Sequence, residues 1–154
     1  MNLKFITFSI FLLILISTLF SQTNDEEFNS FWKKFKKAVT KNEKEATANL
    51  TNFPFIKAWL MVSESSNKYD RQSFITDFDA IFPDKEIFTK VKYNKDITYK
   101  KKGETINLNL WKDENGDFIL NYTITFEEAG LAYFDYTFTK INGEYKLTQL
   151  IEGD

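Results

Sequence analysis

The spacing of apolar residues changes once along this chain, at Pro83, and no other feature constrains the fold as strongly. Before Pro83, apolar residues recur every three or four positions, which is the period of an amphipathic helix. After it they alternate with polar residues, which is the period of a strand with one buried face. Helices that all precede the strands predict the α+β class, in which N-terminal helices cover one face of an antiparallel sheet.

Three segments before Pro83 are predicted to be helical. The best-defined one runs from Phe28 to Val39, and lysines fill positions between its apolar residues. The apolar positions of this helix are Phe28, Phe31, Trp32, Phe35, Ala38 and Val39. Asn42 is the predicted cap of a second helix, from Glu43 to Leu50, and Asp70 caps a third helix that Pro83 ends.

Turns that contain glycine divide the C-terminal half into strands. Asn115-Gly116 and Asn142-Gly143 are the strongest of these signals, because both residue types tolerate the positive φ angles of a tight hairpin turn. They predict an antiparallel meander of four or five strands that ends near Ile151. Upstream, the apolar run from Phe55 to Val62 follows Pro54 and fits either a strand or an irregular buried segment.

Residues 1–21 have the pattern of a secretory signal peptide. Lys4 supplies a short basic region, an apolar stretch follows from Phe5 to Phe20, and Ser21 is a small residue at the predicted cleavage point. The apolar stretch is shorter than the roughly 20 residues that span a bilayer. An uncleaved anchor and an ordinary core helix are the alternatives. We therefore expect residues 22–154 to form a single domain that is exported to the periplasm or the extracellular medium.

The composition excludes most familiar catalytic and metal chemistry. The chain has no Cys and no His, so it lacks thiolate nucleophiles, disulfides, the commonest general base and the commonest zinc ligand. A net charge of -2 argues against nucleic acid as a partner, because phosphate binding requires a basic surface. We expect no cofactor, no metal and, once the signal peptide is removed, no membrane association.

One loop superficially resembles the start of a calcium-binding loop. Asp113, Asn115 and Asp117 place oxygen atoms at alternate positions. However, Gly116 stands at the fourth place of the loop instead of the sixth, and Ile124 stands at the twelfth, where a calcium loop has Glu. A plain hairpin turn is the favoured interpretation.

Three segments together form a recognisable pattern. They are the Phe-x-x-Phe-Trp-x-x-Phe-x-x-Ala-Val helix at Phe28–Val39, the Lys-Glu-Ala-x-Ala-x-Leu helix that runs into Phe-Pro-Phe at Lys44–Phe55, and the closing hairpin at Phe138–Leu147. The chain thereby resembles the nuclear transport factor 2-like superfamily, in particular its small exported bacterial members.

This resemblance implies a cone-like α+β barrel, in which a curved antiparallel sheet wraps around the N-terminal helices. It also implies that a functional site lies inside the cone, where the concave sheet face meets the first helix. The superfamily includes isomerases, dehydratases, polyketide cyclases and binding modules, so the fold by itself does not select a function.

Catalytic members of the superfamily combine an Asp or His base with a Tyr or a second acid, and no such motif is matched here residue by residue. Asp135 and Tyr133 are the weak catalytic candidates, because Asp135 interrupts an aromatic strand and shares a face with Tyr133. If that face lines the cone, burial would raise the pKa of Asp135, as a proton-abstracting base requires. The favoured alternative buries Phe134 and Phe138 on the other face and leaves Asp135 in water.

Four aromatic residues with polar tips are candidates for lining a ligand pocket: Trp59, Tyr99, Trp111 and Tyr122. Core packing is the default interpretation of each of them. Trp111 lies on an otherwise polar strand face, which favours a pocket rim or an interaction surface.

Three functions are consistent with the sequence. The leading one is a secreted or periplasmic, non-catalytic binding or accessory module whose ligand is a small apolar molecule. The second is a small-molecule enzyme of the isomerase or dehydratase type that uses a pocket carboxylate and a tyrosine. The third is an envelope protein-interaction module, such as a homodimer formed through the open sheet face.

Overall fold

The structure, a computed structural model, describes residues 25–60, 66–126 and 130–154. The predicted signal peptide and its cleavage point lie outside these residues. The chain divides into two compact units, Met1–Lys34 and Phe35–Asp154. Within the described ranges, no helix is both long enough and apolar enough to cross a membrane.

Helix α1 covers residues 25–40, and residues 25–34 of it belong to the first unit. In that unit Phe28, Phe31 and Trp32 are buried, and the Trp32 ring stacks on Phe28 at a centroid distance of 6.2 Å. Lys33 and Lys34 are exposed. The predicted apolar stripe is confirmed, because the residues at helical spacing are the buried ones.

Four short helices lie in the described part of the second unit: α2 (Lys44–Asn49), α3 (Arg71–Thr76), α4 (Phe78–Ile81) and α5 (Ile87–Lys90). Asp70 caps α3 as predicted, and its side chain accepts a hydrogen bond of 2.8 Å from the Ser73 amide. The predicted single helix that ends at Pro83 is wrong, because Asp77 leaves helical geometry between α3 and α4. Asn42 does not cap α2, since it adopts a φ of 58° and Glu43 takes the N-cap position.

Seven strands of the described residues form one sheet, in the order β2-β1-β7-β6-β5-β4-β3. Their bounds are β1 Thr51–Trp59, β2 Ser66–Tyr69, β3 Ile97–Lys101, β4 Glu104–Lys112, β5 Phe118–Phe126, β6 Gly130–Ile141 and β7 Glu144–Gly153. The apolar run that begins at Phe55 is therefore a strand up to Trp59. Helices that precede a curved, open sheet confirm the α+β class.

One feature of the sheet differs from the prediction. Neighbouring strands are antiparallel, as expected, except that β1 and β7 run parallel. The sheet is consequently mixed. The sequence pattern did not indicate this pairing, because the two strands lie far apart in the chain and are not joined by a hairpin turn.

The predicted hairpin between β6 and β7 is confirmed. Asn142 and Gly143 have φ angles of 51° and 86°, the positive values that a tight turn of this kind requires. Lys102 and Gly103 connect β3 to β4 in the same way, with φ angles of 53° and 87°. These turns set the register in which residues of neighbouring strands face each other.

Buried residues occupy one face of the sheet. Leu110, Leu120, Tyr136 and Leu150 are successive cross-strand neighbours from β4 to β7, and none of them is more than 1% exposed. We call this the inner face, and the opposite side the outer face. Because side chains alternate along each strand, residues two positions from these four share the inner face where the register is regular.

Aromatic rings from the helices of the second unit fill the inner face. Phe35 of α1 packs edge-on against Phe138 at a centroid distance of 5.1 Å. Phe82 stacks on Tyr136 at 5.6 Å, and Phe88 meets the same ring at 5.5 Å. The Tyr136 hydroxyl donates a hydrogen bond of 2.8 Å to the Ile81 carbonyl, so the most deeply buried phenol is satisfied by the chain itself.

Candidate functional site

Two recesses of the second unit contain predicted pocket residues. The first, which we call the Trp59 pocket, has a volume of about 200 Å³ and is lined by Lys57, Ala58, Trp59, Asn67 and Glu152. The second, which we call the lysine groove, is more open and has a volume of about 580 Å³. It is lined by Thr89, Lys90, Lys92, Lys95, Asp96, Ile97, Thr98 and Tyr99.

Strand pairing brings the residues of the Trp59 pocket together. In the parallel pair of β1 and β7, Lys57 lies opposite Leu150 and Trp59 lies opposite Glu152. Since Leu150 belongs to the inner face, Lys57, Trp59 and Glu152 lie on that face as well. Asn67 of β2 is the antiparallel partner of Lys57 and completes the lining.

Two of the lining residues of the Trp59 pocket form an ion pair. Lys57 Nζ lies 2.9 Å from Glu152 Oε1, and the two side chains are only 16% and 13% exposed. Withdrawing both charges from water is costly, and an apolar pair of similar volume is often at least as stable. The pair therefore contributes little to folding, whereas it gives the pocket one strong donor and one strong acceptor.

Trp59 differs from the other large rings of the sheet. It is 38% exposed, while rings that pack at the middle of the inner face, such as Phe82 and Phe138, are at most 1% exposed. Its indole thus combines a large apolar area with access from the pocket. This is the chemistry of a surface that holds a flat or apolar ligand.

Tyr99 and Tyr122 lie on the inner face, toward the β3 edge of the sheet. Tyr122 is buried and stacks on Phe134 at a centroid distance of 5.3 Å. Burial raises the pKa of both phenols, and the nearby Asp84 carboxylate raises it further. Both hydroxyls therefore stay protonated at neutral pH, which suits hydrogen-bond donation and opposes a role as base.

Charged residues beside these tyrosines pair with each other. Lys101 Nζ lies 2.9 Å from Asp84 Oδ2 and 3.1 Å from Glu86 Oε2, and Lys90 Nζ lies 3.3 Å from Glu86 Oε1. Hydrogen bonds to Asp84 and then to Glu86 raise the pKa of Lys101. Two ammonium groups thus balance two carboxylates, which is typical of a structural network.

Asp135 and Tyr133, the catalytic candidates, lie on the outer face. Asp135 is half-buried, and the Asn121 Nδ2 amide donates a hydrogen bond of 2.6 Å to its Oδ1. Burial raises the pKa of Asp135, although this hydrogen bond opposes the shift. Neither the Trp59 pocket nor the lysine groove is lined by either residue. The structure thus places this pair away from both recesses.

Tyr133 has a specific neighbour on the outer face. It is the cross-strand partner of Gly153, and a methyl group at Gly153 would lie 2.6 Å from Tyr133 Cε1. The phenol ring therefore covers the position that a side chain would take. The Tyr133 hydroxyl is buried and finds no hydrogen-bond partner among the described residues.

The four predicted pocket residues do not line one cavity. Trp59 lies in the Trp59 pocket and Tyr99 lies in the lysine groove, while Tyr122 is buried on the inner face. Trp111 lies on the outer face, where it is half-buried opposite Ile119 of β5. Tyr99 and Tyr122 are near enough to affect each other, since Tyr99 contributes to the raised pKa of Tyr122.

The polar residues of the Trp59 pocket were not predicted from the sequence: Lys57, Asn67 and Glu152. Lys57 carries a weak signal, because a lysine that interrupts the apolar run at Phe55–Trp59 has an inner-face position. Glu152 carries the same signal in β7, two positions after Leu150. Their contact depends on the parallel pairing, which the sequence did not indicate.

The loop with oxygen atoms at alternate positions forms a hairpin turn. Asp113 Oδ1 accepts hydrogen bonds from the amides of Asn115 and Asp117, at 2.9 and 2.8 Å. Among the described residues, no group of three or more acidic, His or Cys side chains is arranged to hold a metal ion. The turn is thus an Asp-capped connection between β4 and β5.

No protein-family model matches the chain, and no curated protein matches it significantly. Solved structures do match. An NTF2-like protein of unknown function from Shewanella oneidensis MR-1 is 10% identical over 84% of this chain and 98% of that one, with a TM-score of 0.43. An NTF2-like protein of unknown function from Cytophaga hutchinsonii is 16% identical over 80% and 86%, with a TM-score of 0.41.

A third match is an NTF2-like protein with a cystatin-like fold from Novosphingobium aromaticivorans. It is 9% identical over 90% of this chain and 86% of that one, with a TM-score of 0.43. These neighbours are of the nuclear transport factor 2-like class that the sequence resembles. Their identities and TM-scores support no statement about what this chain binds or catalyses.

Proposed function

We propose that this chain is an exported, non-catalytic binding protein that holds a small, mainly apolar ligand in the Trp59 pocket. One observation carries the proposal: the inner face is filled by the chain's own rings, whereas Trp59 stays 38% exposed beside a cavity of about 200 Å³. A ligand in that cavity covers the indole, and apolar burial stabilises a complex by about 25 cal/mol per Å².

The polar residues of the Trp59 pocket would orient the ligand. Lys57 offers N–H donors, Glu152 offers carboxylate oxygens, and the Asn67 amide offers both. Ligand sites are typically apolar with a few polar groups that fix the orientation. A flat apolar molecule with one polar group is therefore the favoured ligand.

Two features support binding over catalysis. Asp135, the half-buried carboxylate with a raised pKa, lies on the outer face instead of beside the Trp59 pocket. The phenols of Tyr99 and Tyr122 have raised pKa values, which suits hydrogen-bond donation and opposes a role as base.

Export is proposed from the signal-peptide pattern of residues 1–21. We expect the secreted chain to begin at Gln22 when it is expressed with its own N-terminus in a bacterial host. Intact-mass measurement of the chain recovered from the periplasm or medium tests this. Recovery of the protein only in the cytoplasm at its full mass would contradict export.

Thermal-shift screening of the protein against a library of small apolar metabolites tests the binding proposal. A compound that binds the native state raises the melting temperature in proportion to the logarithm of its concentration. Trp59→Ser is expected to abolish that rise. Leu131→Ser is the matched control, because Leu131 is another exposed apolar strand residue, 48% exposed, and does not line the pocket.

Two outcomes would contradict the proposal. One is a set of compounds whose stabilising effect is the same in Trp59→Ser as in the parent chain. The other is a loss of the effect in Leu131→Ser as large as the loss in Trp59→Ser, which would indicate a general change in stability.

A further inference from the structure

The lysine groove lies near the β3 edge of the sheet, away from β1 and the Trp59 pocket. It is formed by the end of α5, the residues between α5 and β3, and the first half of β3. Three lysines and one carboxylate line it: Lys90, Lys92, Lys95 and Asp96. Its lining therefore carries a net positive charge, in a chain whose overall charge is -2.

Two of these lysines face each other. Lys92 and Lys95 are antiparallel bridge partners across a tight turn in which Asn94 has a φ of 51°. The Asn94 amide donates a hydrogen bond of 2.8 Å to the Leu110 carbonyl, which fixes the turn against β4. Like charges directly opposite each other on paired backbone destabilise it. Lys92 and Lys95 thus carry like charges at opposite positions of one turn, and an anion between them would relieve their repulsion.

The other lysine of the groove is already engaged. Lys90 lies 3.3 Å from the Glu86 carboxylate, and its Nζ lies 5.0 Å from the centre of the Tyr99 ring. In contrast, Lys92 and Lys95 are exposed and have no ion-pair partner within the ranges 25–60, 66–126 and 130–154. They are the charges that remain for a ligand.

Tyr99 supplies a second, independent indication. It lines the groove, and its hydroxyl oxygen is buried without a hydrogen-bond partner among the described residues. A buried hydroxyl without a partner costs free energy, so most such groups in proteins are satisfied. Its O–H has no acceptor among the described residues, and burial, together with the Asp84 and Glu86 carboxylates, keeps the phenol protonated by raising its pKa.

We propose that the lysine groove binds a small anionic molecule that carries a phosphate or a carboxylate group. The anionic oxygens lie between the ammonium groups of Lys92 and Lys95 and accept a hydrogen bond from the Tyr99 hydroxyl. The remainder of the ligand lies along the groove, against Ile97. This site is separate from the Trp59 pocket, so it does not depend on the function proposed above.

Calorimetric titration of the protein at constant ionic strength tests this proposal with three probes. They are phenyl phosphate, benzoate and the neutral benzyl alcohol, which share a ring and differ in charge. We expect one or both anions to bind with a 1:1 stoichiometry, and benzyl alcohol to bind at least tenfold more weakly than the better anion. Which anion binds better distinguishes a phosphate site from a carboxylate site.

Three variants separate the specific site from general attraction to lysines. Lys92→Gln/Lys95→Gln is expected to weaken anion binding at least tenfold, while Lys33→Gln/Lys34→Gln, the same charge change at exposed positions of α1, leaves it within twofold. Tyr99→Phe is expected to weaken it several-fold. In buffer without the probe anions, Lys92→Gln/Lys95→Gln should melt no lower than the parent chain, because the repulsion is removed.

Equal weakening by the two lysine pairs, or undiminished binding in Lys92→Gln/Lys95→Gln, would overturn the proposal. Binding of benzyl alcohol as tight as that of the anions would overturn it as well. Trp59→Ser is the control for the other site, because it should leave anion binding unchanged. A negative result for the anion site therefore does not contradict binding in the Trp59 pocket. A negative result for the Trp59 pocket likewise does not contradict the anion site.

Discussion

The inner and outer faces of the sheet are built from the same strands, but their side chains make different kinds of contact. On the inner face, rings of the chain pack on Leu120 and Tyr136. Accessible area remains at the two ends of this face, beside Trp59 and beside Tyr99. On the outer face, polar side chains bond to each other. Asn121 of β5 donates a hydrogen bond to Asp135 of β6, and Thr123 donates one to Asn121 within β5. The inner face therefore supplies stability, and the outer face supplies local hydrogen bonds.

This contrast indicates where function can be located. A filled inner face leaves room for a ligand only where the filling ends. Asp135 has a raised pKa, which is often a sign of a functional site. Here the cause is burial within a polar network on the outer face, so the pKa shift does not by itself mark a site.

Removing a ring from the filled region is expected to have the largest effect. Phe82 is 1% exposed and contacts the rings of Tyr136, Phe88 and Phe35. Phe82→Ala should lower the free energy of unfolding by about 3–5 kcal/mol, because it leaves a cavity in close-packed aromatic surroundings. Urea unfolding measures this. Leu131→Ala is the control and should change stability by no more than about 1 kcal/mol; equal losses would contradict the contrast between filled and exposed positions.

Breaking the ion pair of the Trp59 pocket is expected to have the next largest effect. Lys57→Met leaves Glu152 charged and mostly withdrawn from water, and should lower the free energy of unfolding by about 2 kcal/mol. The loss is smaller than for a fully buried pair, because both side chains keep some exposure. Lys57→Met/Glu152→Met should recover stability to within about 1 kcal/mol of the parent chain. If urea unfolding showed Lys57→Met/Glu152→Met to be less stable than Lys57→Met, the ion pair would contribute to folding after all.

A methyl group at Gly153 tests the packing of the outer face. Its carbon would lie 2.6 Å from Tyr133 Cε1, so Gly153→Ala forces the ring to move and should cost about 1–2 kcal/mol. In a Tyr133→Ala background the same substitution should cost clearly less. Thermal unfolding of the four chains in this cycle provides the comparison, and equal costs in both backgrounds would show that the ring does not cover Gly153.

The smallest expected effect concerns pH. The pKa of Asp135 is raised in the folded chain, mainly by burial, so the folded state holds this proton to higher pH than the unfolded state does. The contribution of Asp135 to the free energy of unfolding is therefore fully present below the ordinary Asp pKa. It is lost as pH rises through the raised pKa of the folded chain. Asp135→Asn should remove this fall.

The check is the difference in unfolding free energy between Asp135→Asn and the parent chain. That difference should move in favour of the variant as pH increases from below the ordinary Asp pKa to neutrality. A difference that moves in favour of the parent chain would mean that hydrogen bonding outweighs burial at this carboxylate. Asp117, whose pKa burial also raises, remains in both chains and cancels in the comparison.

The local parts of this fold were predictable from the sequence, because local patterns determine them. Helical spacing identified the buried side of α1, and Asn142-Gly143 identified the final hairpin. The break at Asp77 was missed. Asn42 was interpreted as the cap of α2, whereas its positive φ ends α1, where the Glu43 amide donates a hydrogen bond of 2.9 Å to the Ala38 carbonyl. Alternation along β6 also favoured the face on which Phe138 is buried.

The Trp59 pocket was only partly predictable. Trp59 stood out by its residue type, whereas Lys57 and Glu152 meet only because β1 runs parallel to β7. No turn residue and no local period marks such a pairing. Likewise, the lysine groove depends on a bridge between Lys92 and Lys95 that lies outside the seven strands of the sheet.

The most direct test of the central claim is an amide NMR titration of the protein with a compound that passes the Trp59→Ser test. Among the described residues, rings fill the middle of the inner face, and the face stays accessible at its Trp59 end. We expect the largest amide shifts at Trp59, Asn67 and Glu152, and little change at Leu120 or Tyr136. Shifts centred on Leu120 and Tyr136 would show that the ligand enters the space assigned to the rings, and would contradict the account.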